Sequence, residues 1–266
     1  MKRRSARSSL GLRQRRLINP ISICRDKRPC QNGSMPIDFE VKDLIKSYGG
    51  HKALNRINLS LEKGSMTLLL GSNGSGKSTL MRCLAGHMYW DSGEIFRFGQ
   101  DRRTDRTGYN AGLHFISEDI TPPQVPLKDL RELYKSLYGK FDDEIFNRLI
   151  SLSGISLDKN LTQVSRGQKI QGLLALSLAV HPETLLIDEA TAVLDPHVRD
   201  QLMKELSRMN ADFGMTILLA TNIANEITSL KGRLIVMRAG SIHLDKADDQ
   251  ISMEEVLLAF EQRETA

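Results

Sequence analysis

Apolar and polar residues alternate with a period of two in segments 37–41 and 57–61, which predicts two half-buried β-strands. Segment 65–70 is mostly apolar and predicts a buried strand, and a glycine-rich turn follows it. From residue 78 to 85 the apolar positions recur at helical spacing, and Gly86 follows as a helix-ending residue. The pattern therefore predicts a strand, a glycine turn and a helix in direct succession.

The second half of the chain alternates between strand and helix patterns. Two short apolar segments, 184–187 and 216–220, are separated by helical stretches, which predicts a parallel α/β core. Residues 234–238 and 241–244 predict a closing hairpin. Between about residues 120 and 180 strand patterns are absent, so we expect a helical lobe inserted into the core. Its predicted helices cover residues 127–138, 142–152 and 168–180.

The glycine turn after the buried strand carries a recognisable phosphate-binding pattern. It matches G-x-x-x-x-G-K-[ST] through Gly71, Ser72, Asn73, Gly74, Ser75, Gly76, Lys77, Ser78 and Thr79. Glycines let backbone N–H groups turn inward around phosphate oxygens, and the following helix adds its positive end. In such loops the lysine contacts the β- and γ-phosphates and the serine hydroxyl ligates Mg²⁺. The turn therefore predicts binding of ATP with Mg²⁺.

A pair of carboxylates follows another buried strand. The apolar segment 184–187 runs directly into Asp188 and Glu189. Residues at this point lie at the carboxyl edge of a parallel sheet, where α/β proteins bind their ligands. Asp188 can hold Mg²⁺ through water, and Glu189 can act as a general base towards an attacking water. The two motifs together predict a nucleoside triphosphatase.

Three further segments resemble one family. Residues 164–168 read V-S-R-G-Q and resemble the LSGGQ signature of ABC ATPases, with Arg166 in place of the first glycine. Residues 190–196 resemble the D-loop region of that family, and Tyr48 stands where the family places an aromatic ring on adenine. The ordered set, from about residue 37 to 244, is similar to the ATP-binding subunit of an ABC transporter.

This resemblance implies the fold and the division of the chain. The implied fold is an α/β P-loop NTPase core of the ABC ATPase type, with an N-terminal antiparallel β-subdomain and an inserted α-helical subdomain. The ATPase domain would cover residues 35–266, with the helical subdomain at about 120–180. The signature residues Ser165, Arg166, Gly167 and Gln168 would contact ATP bound to a second ATPase subunit, together with Tyr48 and the phosphate loop.

Two positions depart from the family pattern. Glu118 stands where the Q-loop usually has glutamine, and its carboxylate can still ligand Mg²⁺. Asn222 stands where the switch loop usually has histidine, and an asparagine amide is neutral and cannot shuttle a proton. One hypothesis is that Asn222 slows hydrolysis while Glu189 and Lys77 keep it possible. The alternative is that Asn222 is a tolerated variant.

Positive charge is concentrated at the start of the chain. The whole sequence carries a formal net charge of +5, whereas residues 1–34 hold ten Lys or Arg and one acid, so the remainder is at −4. We therefore expect no nucleic-acid groove on the domain. The composition of residues 1–34 predicts a disordered basic extension. Alternatively, the start codon is placed too early and Met35 is the true start. An Arg-rich start can also be a targeting segment or a membrane-surface segment.

Membrane attachment is expected to come through a partner. The apolar run 173–180 is much shorter than the ~20 residues that a membrane span requires. The three cysteines, Cys24, Cys30 and Cys83, have no metal-like spacing and suggest a reducing compartment. The resemblance implies a cytoplasmic subunit that lies peripherally at the inner face of the cell membrane, bound to a separate integral-membrane permease.

The resemblance favours export as the direction of transport. This expectation rests on Glu118, on segment 141–144 and on the signature at 165–168, which are similar to exporter ATPases with separate permeases. The alternative function is a soluble ABC-type switch that binds ATP and regulates a partner without transport. An ABC ATPase acting on ribosomes or DNA is disfavoured by the negative charge after Met35.

Overall fold

The computed structural model describes residues 35–223 and 232–247. The predicted basic extension, with Cys24 and Cys30, lies outside the described residues, as does the end of the predicted ATPase domain. Within the described part no helix is both long and apolar enough to cross a membrane.

The first part of the chain forms an antiparallel sheet. Strands β1 and β2 are each 12 residues long and pair over nearly their whole length. The sheet has the order β2-β1-β4-β5. Its strands are β1 (Ile37–Tyr48), β2 (His51–Glu62), β4 (Ser92–Arg97) and β5 (Gln100–Asp101).

A second, six-stranded sheet forms the centre of the molecule. Its order is β10-β9-β3-β8-β7-β6, with the five strands from β9 to β6 parallel and β10 antiparallel to β9. The middle strands β3, β7 and β8 are buried along their whole length, as expected when both faces of a parallel sheet are covered. The strands are β3 (Met66–Leu70), β6 (Leu113–Ser117), β7 (Thr184–Asp188), β8 (Thr216–Thr221), β9 (Arg233–Arg238) and β10 (Ser241–Lys246).

Helices cover this sheet and fill the segment between β6 and β7. That segment contains three α-helices and a short 3₁₀ turn, Leu161–Gln163. Helix α4 begins at the capping residue Asp142, whose carboxylate accepts from two backbone N–H groups, and it ends at Gly154. The helices are α1 (Lys77–Leu84), α2 (Arg106–Asn110), α3 (Leu127–Tyr138), α4 (Asp143–Ser153), α5 (Arg166–Ala179) and α6 (Pro196–Phe213).

Two hydrophobic cores lie on opposite faces of the six-stranded sheet. One core packs α1 and the antiparallel sheet against the side chains of Leu69, Leu186 and Leu218. The other packs helices α3 to α6 against the opposite face. The helices between β6 and β7 therefore share a core with the central sheet.

A buried ion pair within the antiparallel sheet is linked through Thr184 to the central sheet. Arg97 at the end of β4 donates from Nε to Asp38 Oδ1 over 3.2 Å and from its terminal nitrogens to the carbonyl of Tyr109 and the hydroxyl of Thr184. Burial raises the pKa of Asp38, while the charge of Arg97 and hydrogen bonds to its carboxylate oppose that rise. Because both charged groups are fully buried, the position of β4 relative to β7 depends on this network.

The predicted fold class is confirmed in its main parts. The antiparallel sheet, the parallel core and the closing hairpin are present, and the described chain has only helices and an isolated bridge between β6 and β7. The first two strands are much longer than predicted. The prediction was too short because the halves of both strands next to their connecting turn carry many polar and charged residues, so the period-two pattern does not extend to them. Strand β4 had no predicted counterpart. The domain boundary at residue 35 and the separate status of 120–180 stay predictions.

Candidate nucleotide-binding site

The phosphate loop lies between β3 and α1 and needs its glycines for two reasons. Gly74 and Gly76 have φ values of 85° and 103°, a left-handed backbone that residues with a Cβ rarely adopt. A Cβ on Gly76 would also lie 2.4 Å from the carbonyl oxygen of Ala53, and one on Gly71 would lie 2.6 Å from that of Met237. The loop therefore packs against the backbone of both sheets.

Lys77 is held inside this loop by three acceptors. Its Nζ donates to the carbonyl oxygens of Gly71 and Ser72 over 2.8 and 3.1 Å. The same Nζ lies 2.9 Å from Oε1 of Glu189. The lysine side chain is almost fully buried. The predicted phosphate-binding lysine and the predicted general base are in direct contact.

Ser78 and Asp188 form the second contact between the two motifs. Ser78 Oγ donates to Asp188 Oδ1 over 2.9 Å, although the residues are 110 positions apart. Burial raises the pKa of Asp188 to about 6. The hydrogen bond from Ser78 opposes that rise, and the nearby Glu189 carboxylate adds to it. A hydroxyl and a poorly hydrated carboxylate are oxygen ligands of the type that Mg²⁺ uses.

Glu189 reaches the loop because the backbone turns sharply at the end of β7. Its φ of 51° is in the left-handed region, and its N–H donates to the carbonyl of Ala220 on β8 over 2.9 Å. A non-glycine residue in this conformation is strained, and such residues are concentrated at functional sites. The turn directs the Glu189 side chain towards Lys77.

Asn222 lies at the same sheet edge, directly after β8. Its side-chain Nδ2 donates to Oδ1 of Asn73 in the phosphate loop over 3.2 Å. The structure therefore brings the predicted switch residue to the phosphate loop, where the amide makes a neutral hydrogen bond. Residues 224–231, which follow it, lie outside the described residues.

Glu118 directly follows β6. Ser117, the last residue of β6, pairs with Asp188 at the end of β7, so Glu118 lies at the same edge of the sheet as Asp188. Its Oε1 accepts from Arg166 over 2.8 Å, so its carboxylate contacts the signature and not the phosphate loop. Lys169 holds the same segment by donating to the carbonyl oxygens of Glu118 and Ile120. The assignment of Glu118 as a magnesium ligand stays a prediction.

The signature segment is engaged in contacts within its own chain. Ser165 and Gln168 form a capping box at the start of α5, in which each side chain satisfies a backbone N–H of the other residue. Gln168 also donates to the carbonyl of Ser153. A Cβ on Gly167 would lie 2.9 Å from the carbonyl oxygen of Val193, so the glycine allows the D-loop region to pack closely.

Tyr48 ends β1 on the antiparallel sheet, and about half of its surface is exposed. Its hydroxyl donates to the sulfur of Met88, beyond the C-terminal end of α1, and the ammonium of Lys46 lies 5.4 Å from its ring. The phosphate loop lies at the opposite, N-terminal end of α1. The role of Tyr48 in stacking on adenine stays a prediction.

Sequence reasoning missed the outer support of the phosphate loop. Gly240, in the turn between β9 and β10, donates its N–H to the carbonyl of Ser75 over 3.0 Å, and its own carbonyl accepts from Asn55. Arg82 on α1 also pairs with Asp119 in the segment after β6. No pattern in the sequence connects residues that are so far apart along the chain.

The residues present fit ATP and Mg²⁺. The loop is a glycine-rich cradle whose Gly71 and Gly76 let it pack closely on the backbone of both sheets, and the buried hydroxyl of Ser75 has no hydrogen-bond partner within the described chain. The cradle contains a buried cation, Lys77, and lies beside the oxygen ligands of Ser78 and Asp188. This set matches a phosphate chain with a divalent ion attached to it.

Comparison with known proteins agrees with this geometry. A family model described as ABC transporter matches residues 54–192. The spermidine/putrescine import ATP-binding protein PotA of Spiroplasma citri is 31% identical over 210 residues, which cover 77% of this chain and 60% of that protein. The sulfate/thiosulfate import ATP-binding protein CysA of Pectobacterium atrosepticum is 33% identical over 217 residues, which cover 77% of this chain and 65% of that protein. The chain thus spans less than two thirds of the length of these relatives.

Solved structures support the same fold. The ATP-binding subunit of an ABC transporter superposes with a TM-score of 0.71 at 23% identity, covering 83% of this chain and 98% of that chain. The structure of cbiO1 from Clostridium perfringens, part of the ABC transporter complex cbiONQ, gives a TM-score of 0.65 at 26% identity and covers 84% of this chain and 91% of that chain. The chain belongs to the ABC transporter family, as an ATP-binding domain of the P-loop α/β fold.

Proposed function

We propose that this chain is the ATP-binding and ATP-hydrolysing subunit of an ABC transporter. The observation that carries the proposal is the paired contact of the phosphate loop with the acidic strand end, Lys77 with Glu189 and Ser78 with Asp188. These four side chains come from two motifs far apart in sequence and meet at one edge of the parallel sheet. Their chemistry fits phosphate binding, metal binding and activation of water.

Each of the four side chains has a distinct part in this proposal. Lys77 gives up Glu189 as its partner and contacts the terminal phosphates, while the loop N–H groups bind the remaining phosphate oxygens. Ser78 and Asp188 would hold Mg²⁺, which would neutralise charge on the phosphate oxygens. Glu189, released from Lys77, orients the attacking water and accepts its proton. Glu118 lies at the same edge as a further oxygen ligand.

Binding and hydrolysis can be separated by two substitutions in the full chain. Lys77→Ala removes the buried cation and is expected to abolish binding of a fluorescent ATP analogue. Glu189→Gln keeps the shape of the side chain and is expected to retain binding, while Mg²⁺-dependent phosphate release falls by roughly a hundredfold or more. The control is Lys128→Ala, which removes an exposed lysine on α3 paired with Asp158. Parental phosphate release by both site variants would refute the proposed ATPase.

We also propose that Asn222 makes the ATPase slow. Its amide contacts Asn73 of the phosphate loop but carries no charge, whereas a histidine in its place could be cationic and bridge the phosphate and the water. A charge-assisted hydrogen bond is stronger than a neutral one, and the difference in free energy corresponds to about a tenfold difference in reaction rate. We expect Asn222→His to raise steady-state turnover by about that factor. A rate no faster than that of the parent would favour the alternative, that Asn222 is a tolerated variant.

The proposed assembly has two ATPase subunits arranged head to tail and a separate integral-membrane permease. In this arrangement the phosphate loop and Tyr48 of one subunit face residues 165–168 of the other. Closure on ATP and opening after hydrolysis would drive the permease between its two states. The chain would lie in the cytoplasm at the inner face of the membrane. Purification of the tagged full chain from membranes should recover a polytopic permease; recovery of soluble proteins alone would favour the ATP-dependent switch.

The direction of transport is a finer proposal. Export rests on the resemblance of Glu118, segment 141–144 and the signature to exporter ATPases, but the relatives described above are named as import proteins and do not support it. Asp142 and Asp143 also have local structural partners, since one caps α4 and the other pairs with Arg131. Substrate accumulation by inside-out vesicles that contain the purified complex would support export. Accumulation only by right-side-out vesicles would refute it.

A further inference from the structure

A groove lies at the amino edge of the central sheet, at the opposite end of the strands from the phosphate loop. Gly64 lies just before β3, Glu183 directly before β7 and Gly214 just before β8, and all three residues line this groove. Because β3, β7 and β8 are parallel, their amino ends meet at one edge of the sheet. The groove encloses about 1230 Å³, more than the roughly 300–1,000 Å³ of small-molecule sites. This amino-edge groove is therefore large enough for a peptide segment.

The amino-edge groove combines apolar and acidic side chains. Its apolar residues include Phe141 and Phe213. Phe213, the last residue of α6, is 46% exposed, so its ring is accessible from the groove. Five carboxylates and two lysines also line the groove, which gives a net charge of −3 with histidine neutral. The carboxylates are those of Asp142, Asp143, Glu144, Glu183 and Asp212. A peptide that complements this groove would carry positive charges between apolar side chains.

Two of the five carboxylates are accessible to a further cation. Glu144, in the first turn of α4, is exposed and makes no ion pair with the described residues. Asp212 is also exposed, and its pair with Arg208 on the surface of α6 has a length of 3.4 Å. Such exposed pairs contribute little to stability, so a second arginine could share this carboxylate at little cost. The other three carboxylates have partners within the fold, since one caps α4 and the others pair with arginines.

The chain itself supplies a basic segment next to this groove. Met35 and Pro36, the first described residues, line the groove, and residues 1–34 directly precede them with a net charge of +9. Residues 10–23 read L-G-L-R-Q-R-R-L-I-N-P-I-S-I, so three arginines lie between aliphatic residues. Attachment at the groove also gives such a segment a local concentration in the millimolar range, about that of sites joined by a short flexible linker. Charge, apolar content and point of attachment therefore favour the same occupant.

We propose that residues 10–23 bind in the amino-edge groove of their own chain. Their arginines contact Glu144 and Asp212, and their aliphatic side chains cover Phe213. The bound segment connects α4 with the end of α6 at the amino edge of the sheet. The inference uses no residue of the nucleotide site, and it stands or falls independently of the proposed ATPase.

Cross-linking in the full chain tests this proposal without nucleotide. Cys24 directly follows the proposed segment, and Lys140→Cys places a second thiol at an exposed position that lines the groove. The background substitution Cys30→Ser leaves Cys24 as the partner thiol, because Cys83 is buried. A short bismaleimide then joins the two thiols, and peptide mass spectrometry identifies the link. Lys128→Cys is the control, since it lies roughly 15 Å away along α3 at the rise of an α-helix.

We expect the link to form at least roughly tenfold faster with Lys140→Cys than with Lys128→Cys, because binding holds Cys24 at the groove. Charge reversal then separates binding from mere proximity to Met35. Glu144→Lys with Asp212→Lys should lower the rate at Lys140→Cys at least roughly tenfold, because like charges replace opposite charges. Reversing all three arginines of the segment should have the same effect, through Arg13→Glu, Arg15→Glu and Arg16→Glu. The combination of both sets should restore most of the rate.

Asp200→Lys is the matched control for charge reversal in the groove. It breaks an exposed pair with Lys204 near the start of α6, similar to the pair of Asp212 with Arg208, and should leave the cross-linking rate unchanged. All variants should keep the parental circular dichroism spectrum and the parental affinity for fluorescent ATP, since the groove is remote from the phosphate loop.

A salt titration of the chain that carries only Cys30→Ser and Lys140→Cys needs no charge reversal. Raising NaCl from about 0.05 to 0.5 M should slow the link strongly, because salt screens exposed charges. The proposal is overturned by a rate that both salt and charge reversal leave unchanged, or by reversals that fail to compensate each other. A link that forms only between two chains, seen as a dimeric mass whose yield rises with protein concentration, would overturn it as well.

Discussion

Asp188 is expected to destabilise the protein in the absence of metal, and its replacement by asparagine tests this directly. The carboxylate is almost fully buried at the end of β7, and Ser78 donates a single hydrogen bond to it. Asparagine has nearly the same shape, and its amide oxygen can accept the same hydrogen bond. Asp188→Asn should therefore remove the buried charge and leave the packing around it in place.

The size of the effect follows from the pKa of the carboxyl group. Burial raises the pKa of Asp188 from an ordinary 3.8 to about 6, so the unfolded chain ionises this group at lower pH than the folded protein. At pH 7.5 the group is ionised in both states, and the difference of about 2 pKa units corresponds to about 3 kcal/mol in favour of unfolding. That cost develops as pH rises from about 4 to 6 and is constant above. We expect Asp188→Asn to be more stable than the parent by up to about 3 kcal/mol at pH 7.5, and by much less at pH 4.

Urea denaturation followed by circular dichroism, without nucleotide and with EDTA, measures this gain. The control is Asp212→Asn, which neutralises an exposed carboxylate near the end of α6 that pairs with Arg208 and should change stability by less than about 0.5 kcal/mol. Added Mg²⁺ and ATP should stabilise the parent by mass action and should stabilise Asp188→Asn far less, because the metal ligand is lost.

Two results would refute this reasoning. Asp188→Asn could be equal to or less stable than the parent at pH 7.5 while retaining the native spectrum, which would mean that the buried carboxylate is already well solvated or paired. A gain of equal size at pH 4 and pH 7.5 would show that titration of Asp188 is not its source.

Further predictions concern the scaffold of the site. Arg97→Met should lower the free energy of unfolding by about 3–5 kcal/mol in a urea titration, because the buried carboxylate of Asp38 is left without its cation. A loss below about 1 kcal/mol would contradict the role of this network. Gly76→Ala should weaken binding of fluorescent ATP by at least roughly tenfold, because the new Cβ would meet the carbonyl of Ala53, whereas Gly139→Ala, at the end of α3 in open space, should bind ATP like the parent. Ser165→Ala should destabilise the chain by about 1 kcal/mol through loss of the helix cap, and unchanged stability would mean that water replaces the cap.

Local sequence patterns were sufficient to predict the phosphate loop and the buried strands of this protein. Gly71, Gly76 and Lys77 were recognised from their spacing alone, because a phosphate loop is a short continuous segment whose backbone conformation requires glycine at particular points. The buried strands β3, β7 and β8 were also predicted, since parallel strands covered on both faces must be apolar throughout. The order of these segments was enough to predict the fold class.

Other features could not be read from local sequence. The outer half of β1 and all of β4 lie in a half-exposed antiparallel sheet, where cross-strand pairing and not hydrophobicity determines the strand. The support of Ser75 by Gly240 and the network around Arg97 join residues that are distant along the chain. A charged residue such as Arg97 would be expected at the surface unless its partners were already known.

The sequence by itself thus determined which chemical groups the site contains, since phosphate loop, acidic strand end and signature are each local and ordered along the chain. Only the tertiary structure decided how those groups are paired. It placed Lys77 on Glu189 and Ser78 on Asp188, and it gave Glu118 to Arg166 instead of the phosphate loop. The physical reason is that ion pairs and hydrogen bonds depend on distances of about 3 Å between atoms, and these distances are set by the register and packing of strands far apart in sequence.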